Sequence, residues 1–250
     1  MAHIRLENVS VALPIFDNAR LRLIRVPNFT RTKVGTKSIG KNSGATVIHA
    51  LNEINLELNE GDRVALIGHN GAGKTTLLRL IAGVYPPSQG SVSVGGRVVA
   101  LLSGSMSLNS DATGYENIQL VAELYGWPRD QVADCIRDIE DFTELGEYLS
   151  LPVRVYSAGM AARLAYGMAT QLSPDVLLID ESIGAGDANF QEKAEARARE
   201  YSGRSKIVLL ASHAAELCRA ICNRALLLSG GRQVFFGDID EAFDRYAKSR

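Results

Sequence analysis

The sequence predicts an α/β fold built on a parallel sheet, and three observations point to it. A short apolar stretch, residues 63–67 (RVALI), runs straight into a glycine-rich loop and then an apolar-periodic helix, TTLLRLIAG. Two more continuous apolar runs, residues 176–180 (VLLID) and 207–211 (IVLLA), are flanked by helical patterns. Such runs suit strands buried on both faces of a parallel sheet. The first of them ends in the acidic pair Asp180-Glu181, at the sheet edge where ligands of open α/β folds gather.

The other elements follow in order. Residues 3–11 (HIRLENVSV) alternate as an edge strand does. A long loop is expected from there to Ala45, and loops of that length are often functional. Between Asn18 and Ala45 stand Arg20, Arg22, Arg25, Arg31, Lys33, Lys37 and Lys41 with no acid, so the rest of the chain carries −8 against a net charge of −1. This segment, residues 18–45, reads either as a solvated loop or as a surface facing anionic lipid headgroups or a membrane partner, where each basic residue is worth about 1 kcal/mol. Residues 50–58 (ALNEINLEL) form a half-buried strand, and Asn59-Glu60-Gly61 makes the turn into 63–67. Pro86, Pro87 and Gly90 break the chain before two short strands near 91–94 and 97–102. Residues 112–172 are mainly helical, with Thr113 and Glu116 at capping-box spacing. Residues 225–236 form a hairpin turning at Gly230-Gly231, and a short helix follows.

Length and composition set bounds. At 250 residues the chain suits one large domain or two small ones. The charge balance provides no global field that would draw it to nucleic acid. No apolar run approaches the ~20 residues of a membrane span, and the start, MAHIRLENVS, lacks a secretory apolar region. Cys135, Cys218 and Cys222 have no metal-ligand spacing; Cys218 and Cys222 share a helix face and read as small buried hydrophobes.

Residues 68–75, Gly-His-Asn-Gly-Ala-Gly-Lys-Thr, match G-x-x-x-x-G-K-[ST]. The pattern has the preceding strand and following helix that it requires. Gly68, Gly71 and Gly73 let backbone N–H groups turn inward around phosphate oxygens. His69, Asn70, Ala72 and Thr76 complete the candidate nucleotide contact. Lys74 sets a charge against the β- and γ-phosphates, Thr75 offers its hydroxyl to Mg²⁺, and the helix presents its positive end. Across the sheet edge, Asp180 would hold Mg²⁺ through water, and Glu181 would orient the attacking water. His213, just past the strand 207–211, lies on the same edge as a candidate γ-phosphate contact. A second anion-binding helix start is expected at Ser157, Ala158 and Gly159, within Tyr-Ser-Ala-Gly-Met. With one phosphate loop already in the chain, this second site fits best over the nucleotide of a partner subunit.

With these motifs in this order, the chain resembles ATP-binding-cassette (ABC) ATPases from about Leu51 onward: phosphate loop at 68–76, signature at 156–160, Walker B at 176–181, D-loop ending at Asp187 and switch histidine at 213. The signature departs from the usual Leu-Ser-Gly-Gly-Gln, and Ser-Ile-Gly-Ala-Gly-Asp replaces Pro-Thr-Ser-Ala-Leu-Asp. Together with TGYENI and GDANFQEKA, YSAGMAARLAYGMAT resembles the ATP-binding subunits of bacterial polysaccharide exporters carrying O-antigen, capsule or teichoic-acid-type glycans. The resemblance implies a P-loop NTPase cassette forming one nucleotide-binding domain over 1–250. Its antiparallel β part would comprise 1–60 with 91–102, its RecA-like core 61–90 and 173–236, its helical subdomain 103–172, and its C-terminal helix 237–250.

It also implies ATP and Mg²⁺ as ligands, a homodimer, two copies of an integral membrane permease, a lipid-linked glycan as cargo, and a place on the cytoplasmic face of the bacterial inner membrane. Glu181, His213 and Lys74 would be catalytic, and Asp187 would couple the two sites. The Q-loop glutamine is missing from 101–111, leaving Ser103 to Ser107 as the nearest substitutes. The adenine-stacking residue is Phe16 or, closer to the core, His49. The competing class is a soluble ABC ATPase acting on nucleic acid or ribosomes, which usually has two cassettes or a long insertion; neither is present. A switch GTPase would need Asn-Lys-x-Asp, which is absent. A binding-only module is at odds with the intact Lys74, Asp180, Glu181 and His213.

Overall fold

The computed structural model describes every residue except 15, 18–21, 24–31, 35–36, 43–44, 103–107, 181–187 and 250; the side chains of 15–46 and 181–189 also lie outside the description. Along the chain run β1 (His3–Pro14), β2 (Phe16–Asp17), β3 (Arg22–Leu23), β4 (Thr32–Val34), β5 (Lys37–Asn42), β6 (Ala45–Asn59), β7 (Arg63–Ile67), α1 (Lys74–Ile81), β8 (Gln89–Gly95) and β9 (Val98–Leu101). There follow α2 (Gly114–Tyr125), α3 (Val132–Thr143), two 3₁₀ turns (Gly146–Ser150 and Val153–Val155), α4 (Ala158–Ala169), β10 (Val176–Asp180), α5 (Ala188–Gly203), β11 (Ile207–Ala211), α6 (Ala215–Ile221), β12 (Arg224–Ser229), β13 (Arg232–Asp238) and α7 (Ile239–Lys248).

The central sheet is ordered β13-β12-β7-β11-β10-β9. All its neighbouring pairs are parallel except the β12–β13 hairpin at one edge. Alternation along the strands divides the apolar core. Val64, Leu66, Leu178, Leu209, Leu226 and Leu228 face α1 and the second sheet. Ala65, Ile67, Leu177, Ile179, Leu210 and Leu227 face the layer containing α4–α7. Both faces are therefore covered, and for that reason these strands read as unbroken apolar runs. A third cluster, around Ile118, Ile139, Leu149, Leu164 and Met168, is the core of the helical part.

The second sheet is antiparallel and ordered β4-β5-β6-β1-β8. The structure departs from the sequence pattern at three places. Residues 3–11 are not an edge strand: β1 lies between β6 and β8, with registers such as Ile4↔Leu58 and Ile4↔Val94. Alternation reports which face is buried, not how many neighbours a strand has. The basic segment is not one long loop, because β4 and β5 within it extend the sheet alongside β6. In Lys37–Asn42 (KSIGKN) polar residues and glycine hide the apolar period that would signal a strand. The two strands after Gly90 also part company: β8 joins the antiparallel sheet, whereas β9 pairs parallel with β10, so residues 91–102 do not belong to the antiparallel part together. Its sequence, VVAL, is a short apolar run of the parallel-sheet kind.

The helical region forms as expected. Thr113 accepts from the Glu116 N–H at 3.1 Å, and Glu116 accepts from the Thr113 N–H at 2.7 Å, closing the capping box on α2. Cys218 and Cys222 are buried, and burial raises the Cys222 thiol well above its ordinary range.

Candidate functional site

The site begins where β7 ends. Gly68 leaves the strand with φ 150°, and a Cβ there would stand 2.3 Å from the Leu228 carbonyl oxygen of β12, so only glycine fits. Gly73 caps α1 at φ 113°, and its Cβ would press on Leu51 at 2.9 Å and on the Ala50 carbonyl at 3.0 Å. The loop between them is tied down by backbone bonds. The Ala72 N–H donates to the His69 carbonyl at 3.0 Å, and the Gly231 N–H donates to the Ala72 carbonyl at 3.0 Å. The Gly231 carbonyl in turn accepts from the Asn52 N–H at 2.8 Å. The β12–β13 turn thus joins the loop to β6. No acid lies in the first turn of α1, so no carboxylate of its own helix offsets its positive end.

The charged groups converge on this loop. Lys74 Nζ donates to the Gly68 carbonyl at 2.6 Å and lies 3.4 Å from both the His69 carbonyl and His213 Nε2. Phosphate oxygens would compete for the same ammonium protons. His213, exposed just past β11, has Nε2 3.1 Å from Asn70 Oδ1. One ring nitrogen can donate to Asn70 or accept from Lys74, but not both. Thr75 Oγ1 donates to Asp180 Oδ2 at 2.7 Å. Asp180 is the last residue of β10 and 8% exposed, which aims its carboxylate along the sheet edge at the loop. A hydroxyl and a carboxylate side by side form a hard oxygen pair of the kind that can hold Mg²⁺ against a substrate phosphate. Among the described residues no three His, Cys, Asp or Glu side chains converge as an all-protein metal site.

Together, residues 69–76, Asp180, Ala211 and His213 line a cleft of 390 Å³. The structure therefore brings Lys74, Thr75, Asp180 and His213 to one place. Glu181 and Asp187 lie outside the described residues, as do Ser103 to Ser107. Phe16 has its backbone in β2, paired with Leu23, and its side chain lies outside the description. His49 is half-buried on β6 beside Ala50 and does not line the cleft.

The second anion-receptive helix end stands elsewhere. Ser157 caps α4, its Oγ accepting from the Met160 N–H at 3.2 Å. Ser157, Ala158 and Gly159 are exposed, and a Cβ on Gly159 would meet only Ser157 Oγ, at 3.8 Å. The end of α4 is thus open to an incoming group. None of residues 156–160 lines the cleft. Sequence reasoning missed one neighbour of the loop: the Tyr246 ring of α7 lies 5.0 Å from that of His69. Nothing local in the sequence signals this contact between distant segments.

Residues 51–184 match the family model described as ABC transporter. This chain belongs to the ABC transporter family. Within it, the chain is 42% identical over 231 residues to the O-antigen export system ATP-binding protein RfbE of Yersinia enterocolitica, covering 92% of this chain and 96% of that one. It is 38% identical to the O-antigen export system ATP-binding protein RfbB of Klebsiella pneumoniae, covering 80% and 81% of the two chains. Against the teichoic acids export ATP-binding protein TagH of Bacillus anthracis, 37% identity extends over 79% of this chain but only 36% of that longer protein. The ABC fold is shared with the ATP-binding cassette MJ0796, solved as a dimer in a post-hydrolysis state with ADP and Pi, at TM-score 0.67 and 19% identity over 94% of this chain and 98% of that one. It is also shared with an ATP-binding subunit of an ABC transporter, at TM-score 0.69 and 21% identity over 98% and 93% of the two chains. The expected α/β cassette fold and ABC-type ATP hydrolase class stand.

Proposed function

We propose that this ABC ATPase binds and hydrolyses ATP as a homodimer that powers the export of a lipid-linked polysaccharide through a membrane permease. One observation carries the dimer: the cleft holding Lys74, Asp180 and His213 is not lined by Ser157–Gly159, the chain's other anion-receptive end. Each ATP would lie between the loop of one subunit and Ser157–Gly159 of the other. The class of cargo is supported by relatives named for O-antigen and teichoic acid export.

In the mechanism, backbone N–H groups of 68–76 and Lys74 hold the triphosphate, and His213 Nε2–H turns from Asn70 Oδ1 to a γ-phosphate oxygen. Thr75 and Asp180 would hold Mg²⁺, which offsets charge on the phosphates. Glu181, directly after Asp180 in the chain, would place the attacking water, and Asp187 would couple the two sites. Phosphoryl transfer to water needs positioning and charge stabilisation more than covalent chemistry. Loss of the γ-phosphate removes the bridge, and the halves separate. Exposed Leu120, Leu124 and Tyr125 on α2, with nearby Tyr148 and Leu151, suit the helical part and segment 103–118 to receive the permease. No helix among the described residues is long and apolar enough to cross a membrane; relatives named as ATP-binding proteins of export systems support peripheral attachment at the cytoplasmic face.

The test is Glu181→Gln. It should bind ATP normally and form a stable dimer in sedimentation velocity, while turnover falls by at least about 100-fold. A variant that stays monomeric with saturating ATP, or that turns over rapidly, contradicts the reading.

A further inference from the structure

An aromatic cluster joins α3, α4 and α5, and α4 begins at the signature end that meets nucleotide in the proposed dimer. Phe142, in the last turn of α3, stacks on Tyr166 of α4 with ring centroids 5.5 Å apart. It meets Phe190, in the first turn of α5, edge-on at 5.3 Å. Phe142 and Phe190 are buried, as is Tyr166, whose hydroxyl donates to the Ala194 carbonyl of α5 at 3.0 Å. Over this cluster lies Arg197. Its guanidinium sits 4.7 Å above the Phe142 ring and grips Asp138 of α3 with both arms, at 2.7 and 2.9 Å. The Arg197 side chain is only 19% exposed. A planar guanidinium that stacks and bonds through two arms fixes orientation as well as distance.

What these contacts join is specific. The helix α4 is capped by Ser157, and α5 starts directly after 181–187, the segment containing Glu181 and Asp187. In the proposed dimer these two starts serve opposite nucleotides. We infer that Arg197 is a positioning residue: through Asp138 and Phe142 it fixes how the α3–α4 layer sits on α5, and so where the signature end at Ser157 stands. Packed aromatic clusters have discrete arrangements rather than continuous give, so freeing this one lets the signature end wander relative to the partner's triphosphate. The phosphate cleft does not include Arg197, Asp138 or Phe142. Binding of ATP to a single subunit should therefore be indifferent to them.

This inference rests on the dimer reading, and the experiment separates the two. In a Glu181→Gln background, full-length chains carrying Arg197→Ala, Arg197→Lys or the swap Asp138→Arg/Arg197→Asp are compared. ATP affinity is measured by calorimetry at concentrations too low for dimerisation, and the ATP-driven dimer by sedimentation velocity. Arg197→Ala should weaken the dimer about tenfold, as loss of one coupled pair does, with ATP affinity unchanged. The swap should recover part of the loss. Arg197→Lys keeps the charge without the fork, and carries the test if circular dichroism shows the alanine variant unfolded; it should fall between parent and alanine. Dimers as tight as the parent's, or equal losses in ATP affinity and dimerisation, overturn the inference. Failure of the Glu181→Gln parent itself to dimerise counts against the dimer reading and everything built on it.

Discussion

Lys74 shows how much of a site local spacing can disclose. The loop's pattern places a lysine and a threonine at the first positions of a helix, and the fold then sets Thr75 Oγ1 2.7 Å from Asp180. The relation was legible because each partner ends a strand or starts a helix of unmistakable pattern. Lys74→Ala is expected to lower ATP affinity by at least about 100-fold, since it removes a charge-assisted contact to two phosphates; unchanged calorimetric binding would contradict that role. Contacts between residues without such markers were hidden. Nothing in GHNGAGKT indicates that the His69 ring meets Tyr246. Nothing in the pattern of α5 says that Arg197 grips Asp138. A surface arginine on a helix and one stacked over a buried ring have the same local sequence.

Among elements, the parallel strands, the hairpin and the helices were readable, and the antiparallel sheet less so. Residues 63–67, 176–180 and 207–211 declare themselves because burial on both faces demands apolar side chains throughout. For β1 the deciding partners, β6 and β8, are distant in sequence, whereas β4 and β5 pair with sequence neighbours but their polar and charged residues hide the apolar period. The start of α2 was legible to the residue. Thr113→Ala should cost about 1 kcal/mol by removing the cap to the Glu116 N–H, read as a lower urea midpoint with little change in slope. Retention of full stability would mean that solvent replaces the cap without loss.

The molecule as a whole is held by two cores on either side of the central sheet, and at the end of that sheet opposite the cleft a polar seam joins the strands. Asp175 accepts from Lys206 at 2.8 Å and from the Arg97 N–H at 2.8 Å. The Lys206 hydrogen bond, then that of Arg97, holds its carboxyl below the usual carboxylate range, and Asp175 raises Lys206 above the usual lysine range. A lowered carboxyl contributes stability in full above its unfolded value of about 3.9, and that contribution fades as pH falls through the lower folded value. The lysine's contribution is complete below its unfolded value and fades as pH rises through the folded one. Asp175→Asn should therefore narrow the gap in urea midpoint between pH 7 and pH 3.5; an unchanged gap would assign acid sensitivity to other groups.

The tips of β-hairpins are ordinarily where a chain tolerates extra residues best. Here the turn at Gly230-Gly231 is backed onto the phosphate loop, giving an amide to Ala72 and taking one from Asn52. A tag or reporter spliced into that tip would push on the triphosphate grip from behind. Lengthening this outwardly ordinary bend would silence the motor without altering a single residue of its nucleotide pocket.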